Sequence, residues 1–369
     1  DNAYASGTDL EYTEGFFEVY PEVMRNTVVW PAPGNHEFGA SDSPSQSGPY
    51  YEAFTMPTGA EAGGVPSGTE AYYSFDYGNI HVVVLDSHDT SRAAPPDPET
   101  NVCPAVPAGG AMYDWLCADL AATDKDFVIA TWHHPPYSRG SHDSDACNGE
   151  FSMCEMRKRF VPVLEHFGVD LQLTGHSHSY ERSYLIDGHY GDSSECAAGE
   201  CMIDWGDGDP QGDGAYEKPS LGPAPHEGTV YAVVGSSSKD SGDLGSHPIM
   251  HVGVNDEGSL LLEVHGRRLD GWFLDKDGLV RDRFQILKGP EVPHCSDGLD
   301  NDGDGLVDWP QDPGCVNAGD GSEQSPTLDC DNGLDDDGDG LIDWLGDPGC
   351  DAAGDGSEQS PALILSLIH

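Results

Sequence analysis

Apolar residues in the first 288 positions fall into short clusters, and the spacing inside each cluster predicts an element. Ile80 to Leu85 (Ile-His-Val-Val-Val-Leu) predicts a buried strand, and Ala71 to Phe75 its hairpin partner, with Asp76, Tyr77, Gly78 and Asn79 as the turn. Thr27 to Trp30 is a brief β-branched run that ends in Pro-Ala-Pro-Gly and predicts another strand, as do Phe127 to Trp132 and Val169 to Leu173. Met112 to Ala122 carries apolar residues at helical spacing, and Cys154 to Phe167 predicts one amphipathic helix stopped by Gly168. Gly228 to Lys239 predicts a strand entering a Gly/Ser loop. That loop lacks the Gly-Lys-Ser/Thr ending of a P-loop. Cys196 to Glu227, rich in Pro, Gly and acids, predicts a long surface loop. Strands alternating with helices argue for a layered α/β or α+β domain.

Charge changes this picture by dividing the chain. The 369 residues carry 66 Asp+Glu against 16 Lys+Arg, a net charge of −50. Glu291 to His369 holds 20 of those acids and no Lys or Arg, so a boundary is predicted just after Lys288, with a tail over 289–360. With so few cations no basic surface can form for nucleic acid, and no apolar run is long enough to span a bilayer. Ten cysteines lie in neighbouring twos: Cys103 and Cys117, Cys147 and Cys154, Cys196 and Cys201, Cys295 and Cys315, Cys330 and Cys350. None forms a Cys-x-x-Cys pair. Five short-range disulfides and an oxidising, secreted or cell-surface location are expected, although cysteine counting leaves the connectivity open.

Polar clusters mark where chemistry can sit. They are Asp1-Asn2-Ala3-Tyr4, Gly34-Asn35-His36-Glu37, His133-His134-Pro135-Pro136-Tyr137 and Gly175-His176-Ser177-His178. The last three follow predicted strands, whose ends are held by a rigid sheet. Together they offer carboxylate, phenol, amide and imidazole without thiolate, a set suited to iron, manganese or zinc.

Asp-x-x-Tyr, Gly-Asn-His-Glu, His-x-Pro-x-Tyr and Gly-His-x-His followed by Ser-Tyr-Glu-Arg resemble the purple acid phosphatase branch of the binuclear, calcineurin-like metallophosphoesterases. The resemblance covers nearly all of 1–288. It implies an α/β fold, a four-layer sandwich of two mixed β-sheets flanked by helices, with Ser259 to Val264, Gly271 to Phe273 and Arg281 to Ile286 as closing strands of the second sheet. By motif, Asp1 would bridge two metals, Tyr4 and His178 would bind a ferric ion, and Asn35, His133 and His176 would bind Zn, Mn or Fe(II). His134 is the alternative to His133. His36 would face the leaving oxygen, and His142, nine residues after His133, would contact substrate. The family's first metal ligand is an Asp in a Gly-Asp motif ahead of Asp-x-x-Tyr, and the chain starts too late to contain it, so an N-terminally truncated catalytic domain is expected. The implied activity is hydrolysis of a small phosphate ester, as an acid phosphomonoesterase. The alternatives are a phosphodiesterase or nucleotide pyrophosphatase, or a surface protein whose phosphatase-like domain no longer turns over.

The tail contains one unit twice, at 295–315 and 330–350, each reading Cys, Asp-x-Asp-x-Asp-Gly-x-x-Asp, Trp and Asp-Pro-Gly-Cys. Asp300, Asp302, Asp304 and Asp308, and then Asp335, Asp337, Asp339 and Asp343, match the start of a calcium loop, where Gly permits the sharp bend. Gln311 and Gly346 replace the closing Glu of an EF-hand. The units resemble the Asp-rich repeats of thrombospondin type 3 and of bacterial surface proteins, which implies calcium binding and attachment to a cell surface or matrix. The alternative is a disordered solvating tail. Residues 365–369 (Leu-Ser-Leu-Ile-His) read as a non-native scar, or else as a short apolar anchor.

Overall fold

The computed structural model describes residues 1–357 apart from 89–91, 96, 108, 197, 238, 240–243, 291–292, 297, 299, 326, 337–340 and 345–349. The chain divides into two compact units, Asp1–Gly289 and Pro290–His369.

In the first unit the apolar runs become strands of two sheets. The larger sheet contains β1 (Tyr73–Tyr77), β2 (Ile80–Val84), β3 (Phe127–Thr131), β4 (Leu171–Thr174), β5 (Tyr180–Ser183), β9 (Val230–Val234) and β10 (Met250–Val254), in the order β1-β2-β3-β4-β9-β5-β10. Its centre, β2-β3-β4-β9, is parallel, and β1, β5 and β10 run antiparallel to their neighbours. The smaller sheet has the order β11-β12-β13-β8, from Gly258–His265, Arg268–Asp275, Val280–Lys288 and Tyr216–Lys218. A short ribbon pairs β6 (Leu185–Ile186) with β7 (Met202–Asp204).

Two cores follow from the strand faces. Val83, Val84, Val128 and Ala130 pack against Met112 and Leu116 of the helix Ala111–Leu120 and against Phe160, Val163 and Leu164. The opposite face, with Phe127, Ile129, Leu171 and Val230, packs onto Leu269, Phe284 and Ile286 of the smaller sheet. Each Val, Leu, Ile, Phe or Met among them contributes about 1.5–3 kcal/mol through burial. Ion pairs also join the sheets. Lys218 and Lys288 place their Nζ atoms 2.6 and 2.9 Å from Asp170 Oδ1, all three side chains being buried. Arg182 of β5 donates to both oxygens of Asp282 of β13.

Three expectations need correction. Thr27–Trp30 forms no strand. Pro31 and Pro33 remove ladder donors, Val28 faces solvent, and Trp30 is held by stacking on Phe75 at 4.2 Å. The single helix over Cys154 to Phe167 is two, Phe151–Arg159 and Val161–His166, because Pro162 lacks the N–H that continuation needs. The Cys196 to Glu227 loop supplies β7 and β8. Tyr216 and Lys218 point into the core while Glu217 points out, a period-two pattern too short to read from sequence. The ten cysteines pair as the five neighbouring twos: 103–117, 147–154, 196–201, 295–315 and 330–350.

Candidate metal centre

The parallel strands β3, β4 and β9 end at one edge, where open α/β sheets place their sites. His133 follows β3 by two residues, and the Gly175 N–H donates to its carbonyl at 3.0 Å, fixing the loop after β4 beside it. In that loop His176 has φ 63°, a left-handed conformation that is uncommon outside glycine and concentrates at functional sites. Gly235, after β9, lies so close that a Cβ would stand 2.0 Å from the Ser177 carbonyl oxygen.

Asn35 Oδ1, His133 Nε2 and His176 Nδ1 lie 2.8, 3.0 and 3.1 Å from one another. Adjacent ligands about 2.1 Å from one ion stand roughly 3 Å apart, so this triad has the dimensions of a coordination shell. A second triad adjoins it. The Tyr4 hydroxyl is 2.9 Å from His178 Nε2 and 3.3 Å from Asp1 Oδ2, and that carboxylate oxygen is 3.4 Å from His133 Nε2. The Asp1 carboxylate therefore stands between the two groups of donors.

The electrostatics suit cations. Burial pushes His133 well below the usual imidazole range, takes His176 down to about 4 and lowers His178, leaving their lone pairs available near neutrality. Burial, with Glu37 behind it, raises the Tyr4 phenol, so a phenolate there needs a positive partner.

His36 lies against Tyr4 with ring centroids 4.1 Å apart. Its backbone N–H donates to Asp1 Oδ1 at 2.9 Å, and its Nδ1 is 2.5 Å from the Ala5 carbonyl oxygen. His142 stacks on His176 at 3.9 Å. His134 sets its Nδ1 3.0 Å from Ser87 Oγ, and it brings a ring nitrogen within 4.8 Å of donor atoms of His133 and His176. All eight residues singled out in this unit are thus gathered around one place.

Three others were missed from sequence. Glu37, fully buried, accepts the N–H groups of Asn2, Ala3 and Gly34 and clamps the Asp1–Tyr4 segment to the Asn35 loop. A Cβ on Gly34 would stand 2.3 Å from Asp1 Oδ1, so glycine is required at that crossing. Glu150 spans His142 Nδ1 at 2.7 Å and His176 Nε2 at 3.4 Å. Burial works to raise its carboxyl, and the bonds to both histidines outweigh this and lower it. Lys239 sets its Nζ 5.6 Å from the Tyr4 ring centroid, beside a cavity of about 530 Å³ lined also by Asp1, His133, His176 and His178. Glu37 stands inside a motif, and Lys239 is one of only 16 bases, so each leaves a trace in the sequence. Glu150 leaves none.

In the tail unit, Asp300, Asp302 and Asp304 bring carboxylate oxygens within 4.8 Å of one another. Asp308 accepts the Gly298 N–H at 2.9 Å, and Asp343 accepts those of Asn332 and Gly333 at 2.9 and 2.7 Å. Asp335 is exposed, and Asp337, Asp339 and residues 365–369 lie outside the described residues. Burial, with Asp304 and Asp302 nearby, pushes Asp312 up to about 6, and burial with Asp302 pushes Asp331 up to about 8.

Residues 2–180 match the family model of the calcineurin-like phosphoesterases. Purple acid phosphatase 15 of Arabidopsis thaliana is 30% identical over 156 residues, which is 42% of this chain and 25% of the relative. An acid phosphatase of Aspergillus ficuum is 30% identical over 166 residues, 37% of this chain and 25% of the relative. The purple acid phosphatase isolated from yellow lupin (Lupinus luteus) seeds aligns in structure over 70% of this chain and 39% of its own, with TM-score 0.48 and 18% identity. The chain spans about a quarter of the length of these two curated relatives. It carries, over residues 2–180, a calcineurin-like metallophosphoesterase domain related to the purple acid phosphatases.

Proposed function

We propose that this protein hydrolyses small phosphate monoesters at a two-metal centre, outside the cytoplasm. The observation that carries the reading is the pair of donor triads meeting at Asp1. Tyr4 and His178 would hold one ion and Asn35, His133 and His176 the other, with the Asp1 carboxylate placed to serve both. Bound there, Fe(III) with Zn, Mn or Fe(II) supplies Lewis acidity and a water activated for attack on phosphorus.

The remaining work belongs to the chain. Glu150 holds the Nε2 side of His176 and so keeps Nδ1 aimed at the triad, an arrangement that fixes ring orientation and ligand basicity. His36 is anchored through Nδ1 at Ala5, which leaves Nε2 to hydrogen-bond the leaving oxygen and hand it a proton. His142, anchored at Nδ1 by Glu150, turns Nε2 toward the phosphoryl group. Lys239 puts a positive charge beside the cavity of a protein whose net charge repels anions. Five disulfides favour an oxidising location. The all-oxygen clusters of the tail favour calcium, with the tail as an attachment module.

The test is a parallel assay of the metal-reconstituted chain on an aryl phosphate monoester and its bis-ester, at pH 5 and pH 8. Monoester turnover that persists at pH 5 is expected. Faster turnover of the bis-ester would assign the centre to phosphodiesters, and no turnover of either would remove the enzymatic reading.

A further inference from the structure

The tail repeats contain a feature that the Asp-x-Asp-x-Asp spacing does not convey. We propose that a single calcium ion is held between the two repeats, by Asp302 and Asp312 of the first and Asp331 of the second, with Asp304 beside them. The proposal rests on the calcium reading of the tail and changes its ligand set.

Carboxylate oxygens of Asp302, Asp312 and Asp331 lie within 4.8 Å of one another. Ligands on opposite sides of a calcium ion, each about 2.4 Å away, are separated by about 4.8 Å, so one ion can touch all three. Asp331 Oδ2 accepts the Ser325 N–H at 3.1 Å, and the first-repeat carboxylates are aimed. Asp312 is 1% exposed; its Oδ1 accepts the Gly314 N–H at 2.7 Å, and its Oδ2 has no hydrogen-bond partner. Asp304, 5% exposed, accepts the Leu306 N–H at 2.7 Å through Oδ1 and likewise leaves Oδ2 without a partner. Asp302 accepts the Asp304 N–H at 3.1 Å and leaves its own Oδ2 unmatched. In each case one oxygen is fixed by backbone and the other is withheld from water and from any donor.

Burying unmatched carboxylate oxygens costs free energy unless a cation joins them, and Glu291 to His369 contains no Lys or Arg to serve. All the available ligand atoms are carboxylate oxygens, because Cys315 is consumed in its disulfide with Cys295, and such a set selects a hard ion.

The proposal also explains the Asp-Pro-Gly-Cys sequence that closes the first repeat. Asp312 supplies a ligand. Gly314 lets the second repeat approach, since a Cβ there would stand 1.3 Å from the Glu323 carbonyl oxygen and 2.7 Å from Asp331 Oδ2. Glu323 has a different task. Its carboxylate accepts the N–H groups of Asn301 and Asp308 at 2.5 and 3.0 Å and clasps the loop around the site.

Calcium titration of the full chain, read by hydrogen exchange on tail peptides, tests this in wild type, Asp312→Asn, Asp331→Asn and the exposed control Asp351→Asn. Wild type and Asp351→Asn should gain protection in both repeats at the same calcium concentration, whereas Asp312→Asn and Asp331→Asn should need at least tenfold more. An unchanged midpoint in Asp331→Asn would overturn the shared site and leave the ion within the Asp300, Asp302 and Asp304 loop. No calcium response in wild type would instead remove the calcium reading itself. In chelator, Asp331→Asn relieves the crowding of carboxyl groups and keeps an oxygen for the Ser325 N–H, so it should be as protected as wild type or more so. Lower protection there would make Asp331 a structural residue and overturn the proposal.

Discussion

In the unit Asp1–Gly289 the metal-type donors stand on a frame of hydrogen-bonded, packed sheet. Strands β3, β4 and β9 are hydrogen-bonded into a sheet packed on both faces, and Glu37 ties the two donor-bearing loops with three N–H bonds. In the tail no strand is found among the described residues, the carboxylates are oriented by loop N–H groups, and two disulfides limit the chain. Similar chemistry thus rests on different supports. Where the chain builds the frame, removing an ion should cost activity and spare the fold. Where unmatched carboxylates are part of the frame, removing it should loosen the structure itself.

The largest effect expected from this contrast is His176→Ala. Losing one member of the Asn35, His133 and His176 triad should lower turnover by about 10³-fold or more, the scale of losing a principal charge-stabilising group, while the melting temperature of the unit changes little. Turnover within tenfold of wild type would place the chemistry elsewhere. A collapse of the fold would show that the frame depends on its donors as the tail is argued to depend on its carboxylates.

Glu150→Gln probes the frame one step out from the ligands. The divalent ion should bind about 10- to 100-fold more weakly, with kcat restored at saturating metal. Unchanged metal affinity would make Glu150 a partner of His142 alone.

This residue also marks where sequence reading stopped. His133, His176 and His178 were legible because they follow strands whose apolar runs are long enough to read, such as Phe127 to Thr131, whereas Asn35 and His36 follow no strand among the described residues and were legible only from the Gly-Asn-His-Glu motif. Short-range disulfides were legible because the cysteines are near in sequence, which makes local closure easy, while the connectivity itself came only with the structure. Glu150 precedes a helix, in a loop whose course is set by the Cys147–Cys154 bridge, so its approach to His142 and His176 is a tertiary fact without a sequence period. The same holds for Asp312 and Asp331, 19 positions apart and in different repeats. Thr27 to Trp30 failed for the converse reason: its residues favour a strand, and no neighbouring strand pairs with it among the described residues.

Protonation should act on the two units in opposite directions when no ions are bound. Burial pushes His189 down to about 4 and His247 down to about 3, against 6.5 in the unfolded chain. Between those values the unfolded state binds more protons, so their stabilisation is present above pH 6.5 and is lost as pH falls toward 4, by on the order of a few kcal/mol. Glu165, raised by burial to about 8, offsets part of this, since its stabilisation is lost only as pH rises from 4.5 toward 8. Asp312 and Asp331, raised to about 6 and 8 from 3.8, give the tail the second sign alone: firm in acid and looser as pH climbs. Hydrogen exchange at pH 4.5, 6.5 and 8 in chelator would read both units at once, and a common sign would break the comparison.

Lys239→Ala should give the smallest effect. Its Nζ lies 5.6 Å from the Tyr4 ring centroid, so its service to a phosphate is that of a nearby charge. At such a distance in a solvent-filled cavity one unit charge contributes on the order of 1 kcal/mol, which corresponds to a roughly three- to fivefold rise in KM with little change in kcat. Lys239→Arg should restore KM, and added salt should shrink the difference between Lys and Ala, because screening acts on exposed charges far more than on buried ligands. A fall in kcat at unchanged KM would instead give Lys239 a part in the chemical step. The frame after β9 would then serve the reaction as directly as the loops after β3 and β4.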